Sequence, residues 1–386
     1  MSDSIIGSPV EPAAWRTEIN WAVSVLSLAM AKTEPAAGPP FAVRCVVTGH
    51  DEGGRAVIVA DGVPPATVTS PMGHGLADLL WLPQPPTGPG DGSEPAPDIR
   101  GGFPADGAIA CRLIRFPGYP PGTAVEDTWL RVMGDDPDRP GMHRSQTLDL
   151  MVVLEGFITL GLDDGEHPLG PGDAVVQRGT MHRWRVVGAR PCTFLSVLLS
   201  PVPGVQKPSR PLEPSSLGTD SAVDADGPRR VVTGTFSDGS SGIMLSGVPT
   251  TRAAASAPDG VSLYDFWQTG GPLTDVGQGG DVPGPWQLEP AGGGVAFRRV
   301  DFGAGHDPGD AGLHATHTID VGVVLSGAVE LDLGPDTEPT AATRTILRRG
   351  DVVIQRATAH RWRPVSGEPA VLVSVMIGLP VTAAPG

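Results

Sequence analysis

The stretch Gly141-Met-His-Arg-Ser-Gln-Thr-Leu-Asp-Leu-Met-Val-Val-Leu-Glu-Gly156 occurs twice in the chain. Its second copy is Gly312-Leu-His-Ala-Thr-His-Thr-Ile-Asp-Val-Gly-Val-Val-Leu-Ser-Gly327, which aligns without a gap at an offset of 171 residues. A sequence motif that recurs at a fixed offset along the chain is typical of a repeated structural unit. The duplication therefore predicts two units of the same fold in one chain.

Each copy has the alternation of a β-strand, in which every second side chain points to the same face. Four polar residues of each copy share one face: His143, Ser145, Thr147 and Asp149 in the first, and His314, Thr316, Thr318 and Asp320 in the second. His317 lies on the opposite face of its strand. An apolar run and a closing glycine follow in both copies, so the pattern predicts the inner wall of a barrel that encloses a ligand.

A second motif is also duplicated, as Gly172-Asp-Ala-Val-Val-Gln-Arg-Gly-Thr-Met-His-Arg-Trp-Arg185 and Gly350-Asp-Val-Val-Ile-Gln-Arg-Ala-Thr-Ala-His-Arg-Trp-Arg363. Its Gly-Asp pair predicts a tight turn that enters a strand. Three residues of each copy are candidates for a site: Arg178, His182 and Trp184, and then Arg356, His360 and Trp362. The histidine and the tryptophan share a strand face, whereas the arginine begins the loop before the histidine.

The composition argues against several classes of function. The 386 residues include 27 Lys and Arg against 43 Asp and Glu, and the resulting net charge of −16 disfavours a nucleic-acid partner. Three widely spaced cysteines favour neither a disulfide framework nor a zinc site and are typical of the cytoplasm. The 53 glycines and 42 prolines favour many short strands joined by turns.

The repeat boundaries predict four regions. Residues 1–40 have apolar residues at helical spacing, which predicts an amphipathic helix that packs on the barrels or on another subunit. Its apolar part is shorter than the roughly 20 residues needed to cross a bilayer. Residues 41–200 and 229–386 form the two units, joined by a linker at 201–228 that is rich in Pro, Ser and Asp.

Each unit also carries a long segment rich in glycine and proline, at 83–107 and at 268–294. Loops of that length usually have a function. We expect each of them to wrap the mouth of its barrel or to pack on the partner unit.

With these motifs the chain resembles the cupins, which are small double-stranded β-barrels of the jelly-roll type. Cupins carry a Gly…His-x-His…Glu…Gly segment and a later Gly-Asp…His segment, and both occur twice here. The matching glycines and turn residues are Gly156 and Gly327, then Gly172-Asp173 and Gly350-Asp351. The resemblance covers about 41–200 and 229–380 and implies a bicupin: an all-β chain of two tandem jelly-roll barrels with a short N-terminal helix.

In metal-binding cupins, the two histidines and the glutamate of the first segment and the later histidine hold a divalent metal. The resemblance implies that His143, Asp149 and His182 take three of these places in the first unit. In the second unit the corresponding residues are His314, Asp320 and His360. Ser145 and Thr316 stand where the second histidine would be, so that ligand is missing, and aspartate has a shorter reach than glutamate.

Three interpretations of these residues stay open. Two histidines and a carboxylate can hold non-haem iron, and zinc, nickel, manganese or copper are further candidates. A bound metal would then support oxygenation, decarboxylation, isomerisation or elimination. Without a metal, the aspartate and the imidazoles would form an acid–base pair, or they would only bind a ligand or stabilise the fold.

The remaining candidates have both functional and structural interpretations. Four hydroxyl residues would contribute to substrate binding or only to a hydrogen-bond network: Ser145, Thr147, Thr316 and Thr318. Trp184 and Trp362 would stack on a ligand or fill the core. Arg178 and Arg356 would clamp an anionic substrate or point into solvent.

The sequence therefore predicts a cytoplasmic cupin enzyme that acts on a small organic molecule. A metal-dependent oxygenase, decarboxylase, isomerase or lyase is the leading hypothesis. Resemblance to poorly characterised cupins of secondary metabolism suggests a polyketide-like or aromatic acid substrate. Neither nucleic acid nor a membrane is expected as a partner, and residues 1–40 are a candidate contact for a homodimer.

Overall fold

The computed structural model describes residues 41–91, 98–132, 135–203, 227–253, 260–281, 286–307, 309, 312–334, 340–365 and 367–380. In this part the regular secondary structure is all β-strand apart from one short 3-10 helix at Val125–Thr128, and the remaining residues form turns and loops. The prediction of an all-β chain is confirmed. The predicted N-terminal helix at 1–40 lies outside the described residues.

The strands are numbered in chain order. The first half contributes β1 (Cys45–His50), β2 (Ala56–Gly62), β3 (Thr67–Thr69), β4 (Gly75–Leu82), β5 (Ile109–Phe116), β6 (Leu148–Glu155), β7 (Ile158–Leu162), β8 (Gly165–Leu169), β9 (Ala174–Arg178), β10 (Arg183–Val186) and β11 (Cys192–Leu199). The second half contributes β12 (Arg230–Thr235), β13 (Ser241–Gly247), β14 (Arg252–Ala253), β15 (Val261–Gln268), β16 (Val295–Phe302), β17 (Thr318–Ser326), β18 (Ala328–Asp332), β19 (Arg344–Arg348), β20 (Val352–Arg356), β21 (Arg361–Pro364) and β22 (Ala370–Gly378).

Each barrel pairs an eight-stranded sheet with a three-stranded sheet. The first barrel has the strand orders β13-β12-β9-β6-β11-β5-β4-β3 and β10-β7-β8. The second has the orders β14-β15-β16-β22-β17-β20-β1-β2 and β19-β18-β21. An apolar cluster lies between the two sheets of each barrel, and a third cluster joins the two eight-stranded sheets.

The strands that carry the two motifs pair with each other inside each eight-stranded sheet. β6 pairs antiparallel with β9, and β17 pairs antiparallel with β20. These strands are rich in valine and leucine, as suits strands that are buried on both faces. The turns into β9 and β20 contain Gly172 and Gly350 at φ values of 90° and 88°, a conformation that glycine adopts at little cost.

The two halves of the chain exchange strands. β1, from the first half, pairs parallel with β20 of the second barrel, and β12, from the second half, pairs parallel with β9 of the first. Each eight-stranded sheet therefore takes strands from both of the predicted ranges 41–200 and 229–386. Because the exchange is reciprocal, neither barrel has a complete sheet without the other half of the sequence.

Buried side chains stabilise the exchange. Val46 lies in the apolar cluster of the second barrel, and Val231 lies in that of the first. Hydroxyl groups also pair across the junctions, from Thr48 to Thr358 and from Thr180 to Thr233, each at 2.7 Å between the Oγ1 atoms. Removing apolar surface from water and pairing buried polar groups both favour the exchanged arrangement.

Within the described part of the chain, no helix is long and apolar enough to span a bilayer.

We expect Val231→Ala to loosen the first barrel, although Val231 belongs to the second half of the sequence. The side chain is fully buried, and losing two methyl groups from such a site costs about 2 kcal/mol. Hydrogen–deuterium exchange should therefore accelerate in β9 and not in β20. Val46→Ala should have the reverse effect, and equal effects on both strands would contradict the exchanged topology.

Candidate functional site

Each barrel encloses a cavity. The second-barrel cavity is the larger at about 260 Å³, against about 110 Å³ in the first barrel. Both are lined mainly by apolar side chains, with a few polar groups at the end where the two motifs meet. This mixture is typical of small-molecule sites.

The motif histidines lie side by side in each cavity. His143 and His182 form an isolated antiparallel bridge with two backbone hydrogen bonds of 2.9 Å, and their ring centroids are 4.3 Å apart. His314 and His360 repeat the arrangement with ring centroids 4.4 Å apart. In each barrel, the backbone pairing therefore brings together the two histidines that the sequence singles out.

Backbone carbonyls fix the tautomer of each histidine. The Nδ1 atoms of His143 and His182 lie 2.9 and 2.8 Å from the carbonyl oxygens of Gly141 and Thr180. The second barrel repeats these contacts from His314 to Gly312 and from His360 to Thr358, both at 2.9 Å. A carbonyl only accepts a hydrogen bond, so Nδ1 carries the proton in the neutral ring and Nε2 keeps its lone pair.

Burial keeps the inner histidines neutral. It lowers the pKa of His182 to about 3 and that of His360 to about 4, because a charged imidazolium is poorly solvated there and the neighbouring histidine opposes it. Burial also lowers the pKa of His143. Near neutral pH these rings therefore act as hydrogen-bond acceptors at Nε2.

The aspartates are the second component of the site. Asp149 accepts a hydrogen bond from Ser145 at 3.2 Å, and Asp320 accepts one from Thr316 at 3.4 Å. The other carboxylate oxygen of each, Oδ1, is buried and has no partner in the described part of the chain. Burial raises the pKa of both aspartates to about 7, since the hydroxyl contacts do not replace the lost water.

The donor set does not fit a resident metal. The place of the second cupin histidine is taken by Ser145 and Thr316, whose hydroxyls are engaged with the aspartates. Across the described ranges, no three His, Cys, Asp or Glu side chains are grouped so that they could hold a metal ion. Protein sites for zinc or non-haem iron use at least three protein ligands. The arrangement of the described side chains does not favour the metal-binding roles implied for the histidines and aspartates, which stay predictions.

A glutamine stands opposite each aspartate, and the sequence analysis did not select it. Asp149 pairs with Gln177 across β6 and β9, and Asp320 pairs with Gln355 across β17 and β20. Gln177 donates from Nε2 to the Thr180 carbonyl at 3.3 Å and to its hydroxyl. Gln355 lines the second-barrel cavity, and its Nε2 is buried without a partner among the described residues. The glutamine occurs in both copies of the second motif, and this duplication is the sequence feature that could have identified it.

The sequence analysis also missed a buried ion pair in each barrel. Arg112 donates to Asp78, and Arg298 donates to Asp265, both at 2.6 Å and with side chains no more than 2% exposed. The two arginines line the cavities. Their charges are already compensated, so they add little net positive potential to either cavity.

These arginines also hold parts of the segments rich in glycine and proline against the cavities. Arg112 donates to the carbonyls of Gly101 and Gly102, and Phe103 of the same segment lines the first cavity. Arg298 donates to the carbonyls of Gln287 and Leu288, and Leu288 lines the second. The described parts of the segments therefore contribute to the cavity walls, and the second segment also contacts the first half of the chain through Gly277 and Leu273.

The other candidates fall into two groups. Trp184 and Trp362 line the cavities, with their rings 5.8 and 6.1 Å from those of His182 and His360. Arg178 and Arg356 do not line the described cavities. Arg178 donates to the Gly277 carbonyl and Arg356 to that of Thr48, so each contacts a segment contributed by the other half of the chain.

The hydroxyl candidates are all buried. Thr316 lines the second cavity, whereas Ser145, Thr147 and Thr318 lie outside the described cavity linings. Thr318 donates to Thr316, which in turn donates to Asp320.

The cavities differ in size partly because of two substitutions between equivalent strand positions. Met151 of β6 lines the first cavity, and Gly322 takes its place in β17. Phe194 of β11 is replaced by Leu372 of β22. Both changes remove side-chain volume from the second barrel.

We expect Asp149→Asn and Asp320→Asn to stabilise the fold at alkaline pH. An unfolded aspartate titrates near pH 4, so between about pH 4 and 7 the folded wild type binds a proton that the unfolded chain has released. Wild-type stability therefore falls as the pH rises through this window. Asparagine removes that loss, and its benefit should reach about 1 to 4 kcal/mol at pH 8.

Urea unfolding of the wild type and each variant between pH 5 and pH 8 measures this difference. The gain should shrink as the pH is lowered, because the unfolded aspartate then regains its proton. A gain that does not change with pH would show that these carboxyl groups are ordinary acids in the folded protein.

Comparison with known proteins identifies relatives of this chain, although no family model matches it. It is 40% identical over 74 residues to the Cupin-domain-containing oxidoreductase srdD of Neurospora crassa, which covers 19% of this chain and 33% of that protein. It is 38% identical over 71 residues to Oryzines biosynthesis cluster protein J of Aspergillus oryzae, covering 18% and 35%. The chain thus spans about a third of the length of these two relatives.

Two solved structures match the chain at low sequence identity. The putative glyoxylate-induced protein of Pseudomonas aeruginosa is 12% identical, with a TM-score of 0.40 and coverage of 92% of this chain and 98% of that one. The oxalate decarboxylase of Lactobacillus farciminis is 11% identical, with a TM-score of 0.36 and coverage of 71% and 78%.

One relative aligns over most of its own length. The Cupin-domain-containing oxidoreductase fogC of Aspergillus ruber is 32% identical over 173 residues, which cover 43% of this chain and 75% of fogC. By its sequence, as by its two all-β barrels and their duplicated motifs, this chain belongs to the cupin-domain-containing proteins.

Proposed function

We propose that this protein is a cupin enzyme that binds a small, largely apolar organic molecule in the second barrel and transfers a proton to or from it without a resident metal. One observation carries the proposal. The Asp320 carboxyl group lines the second-barrel cavity together with His314 and His360, has a pKa near 7, and has a buried Oδ1 atom with no partner among the described residues. The names of the relatives support a role in small-molecule metabolism.

The cavity lining favours a neutral, mostly apolar substrate. Aliphatic and aromatic side chains form most of its wall, and Asp265 together with two loop carbonyls already satisfies Arg298. A carboxylate substrate would meet no uncompensated cation there and would be repelled by Asp320 in its ionised form. The lining therefore favours a neutral molecule over the aromatic acid considered from the sequence.

Asp320 is the proposed general base and acid. With a pKa near 7, about half of the molecules carry the carboxylate at neutral pH, and the rest carry the acid. Such a group removes and returns protons near physiological pH, which typically accelerates a reaction by 10²–10⁴-fold. His314 and His360 present Nε2 acceptors that can hold a hydroxyl group of the substrate.

The alternative function is ligand binding without turnover. The features of the first cavity favour this alternative for the first barrel. That cavity is smaller, and Met151 and three phenylalanines, Phe103, Phe116 and Phe194, narrow it. The aspartate and the histidine pair are nevertheless kept in both barrels. Asp149 therefore provides a matched control for Asp320.

We expect the protein to catalyse the exchange of carbon-bound hydrogen for deuterium in a small carbon acid. The wild type and Asp320→Asn would be incubated in D₂O with 2-tetralone and, separately, a phenyl-substituted nitroalkane, and exchange followed by proton NMR. The wild type should exceed the uncatalysed rate by at least about 100-fold with one of them, and Asp320→Asn should lose this excess. Asp149→Asn should keep it.

The pH profile and a chelator complete this test. The rate should rise with pH to a plateau with a midpoint near 7, because the carboxylate is the active form of the base. Activity should survive dialysis against EDTA. Loss of activity on dialysis and its return with one divalent metal would reject the metal-independent mechanism.

We also expect Gly322→Met to block the second cavity. Met151 shows that the equivalent position of β6 accepts this side chain, and the substitution would fill the space that distinguishes the second cavity from the first. Exchange activity should fall by at least about tenfold in a variant that stays folded by circular dichroism, although the new Cβ would lie 3.0 Å from Val353 Cγ1 and should lower the melting temperature somewhat. Met151→Gly should leave the activity unchanged, and a fully active Gly322→Met variant would place the chemistry elsewhere.

A further inference from the structure

We infer that Gln355 recognises a carbonyl oxygen, so that the substrate of the second barrel is a neutral aldehyde, ketone or corresponding enol. The inference rests on the proposed function of this cavity and adds the substrate class to it. It starts from the placement of two side chains: the Gln355 amide nitrogen, which has no partner among the described residues, lies opposite Asp320 in the cavity wall.

Strand pairing fixes the relation between the two side chains. Asp320 and Gln355 are directly opposite each other in the antiparallel β17–β20 pair, and both line the cavity. Directly opposed residues have Cβ atoms about 4.5–5.5 Å apart and share a sheet face. A ligand atom next to the carboxyl group is therefore within reach of the amide.

The free amide is costly in the absence of a ligand. Gln355 is only 5% exposed, and a buried donor without an acceptor costs about 1–3 kcal/mol. A carbonyl oxygen is a strong neutral acceptor that would recover this free energy. Ala357, two residues after Gln355, adds a second unfavourable contribution to the free energy of folding. Its φ of 50° is a left-handed conformation that non-glycine residues rarely adopt.

In the first barrel, the glutamine of the same sequence motif does have hydrogen-bond partners for its amide nitrogen. Gln177 uses its Nε2 on Thr180 and does not line the described cavity. The threonine after the glutamine pairs across the junction in both barrels, from Thr180 to Thr233 and from Thr358 to Thr48, but Gln355 Nε2 has no contact with Thr358. The two glutamines thus differ in the availability of the amide and not in residue type.

The arrangement suits proton transfer next to a carbonyl group. The Asp320 carboxylate takes the proton from the carbon beside the carbonyl, and the electron pair of that C–H bond becomes the C=C bond of an enolate. The negative charge moves to the oxygen, where the Gln355 N–H group donates a hydrogen bond. The Asp320 acid then returns the proton to carbon, so the isomerisation or exchange needs no oxidant and no second substrate.

Two isosteric substitutions test whether the amides differ as described. Gln355→Met removes an unsatisfied buried donor, so the ligand-free protein should be as stable as the wild type or more stable. Gln177→Met removes a satisfied donor and should lower the melting temperature. The opposite order would show that the Gln355 amide has a partner in the folded protein and would overturn the inference.

Binding of a ketone and of its hydrocarbon analogue then tests recognition. Equilibrium dialysis would compare 2-tetralone with tetralin, which has the same ring system without the oxygen. The wild type should prefer the ketone by about tenfold, the amount expected for one hydrogen bond to a buried donor. Gln355→Met should lose this preference while binding tetralin at least as well, and Gln177→Met should keep it.

The outcomes separate recognition from catalysis. Equal binding of both compounds by the wild type, or a preference retained in Gln355→Met, overturns the role of Gln355. Asp320→Asn should keep the ketone preference and lose deuterium exchange, so a failure of the proposed catalysis would appear in the exchange measurements and leave the ketone preference unchanged. Gln355→Met should slow exchange of 2-tetralone by about 100-fold, as expected when one donor to a developing oxyanion is removed.

Discussion

The antiparallel pairing of the two motif strands is the constraint on which both sites depend. In each barrel, one ladder places the aspartate opposite the glutamine, and the isolated bridge beyond it places the two histidines side by side. The ladder is held by backbone hydrogen bonds and by valines buried on both faces, so its register is strongly specified. A shift of one residue would turn every polar group of the site away from the cavity.

The same burial that builds the barrels gives the polar groups their chemical character. Removal of water raises the pKa of Asp320 and lowers that of His360, so a carboxyl group that titrates near neutral pH and a neutral imidazole line the same cavity. These groups are costly for folding, as is usual at functional sites, where stability is given up for reactivity. Buried ion pairs such as Arg298–Asp265 hold part of a segment rich in glycine and proline against the cavity, to which they add little net charge.

The reciprocal exchange of strands makes the two barrels one folding unit while their interiors differ. β1 completes the sheet of the second barrel, and β12 completes that of the first. Within this common framework, Gly322 in place of Met151 and the free amide of Gln355 distinguish the second cavity. Duplication has therefore preserved the backbone that positions the site, and a few side chains have changed the space that it encloses.

The sequence by itself determined the duplicated β-fold, because repeats, alternation of polar and apolar residues and turn glycines are local patterns that the backbone must follow. It also identified the histidines and aspartates of both cavities, since their parity on a strand fixes the face that they share. Strand exchange, the ion pairs of Arg112 and Arg298, and the different surroundings of Gln177 and Gln355 were decided by the tertiary structure. They depend on contacts between residues far apart in the chain, and identical motifs such as Gln-Arg-x-Thr-x-His carry no information about which partner each side chain meets.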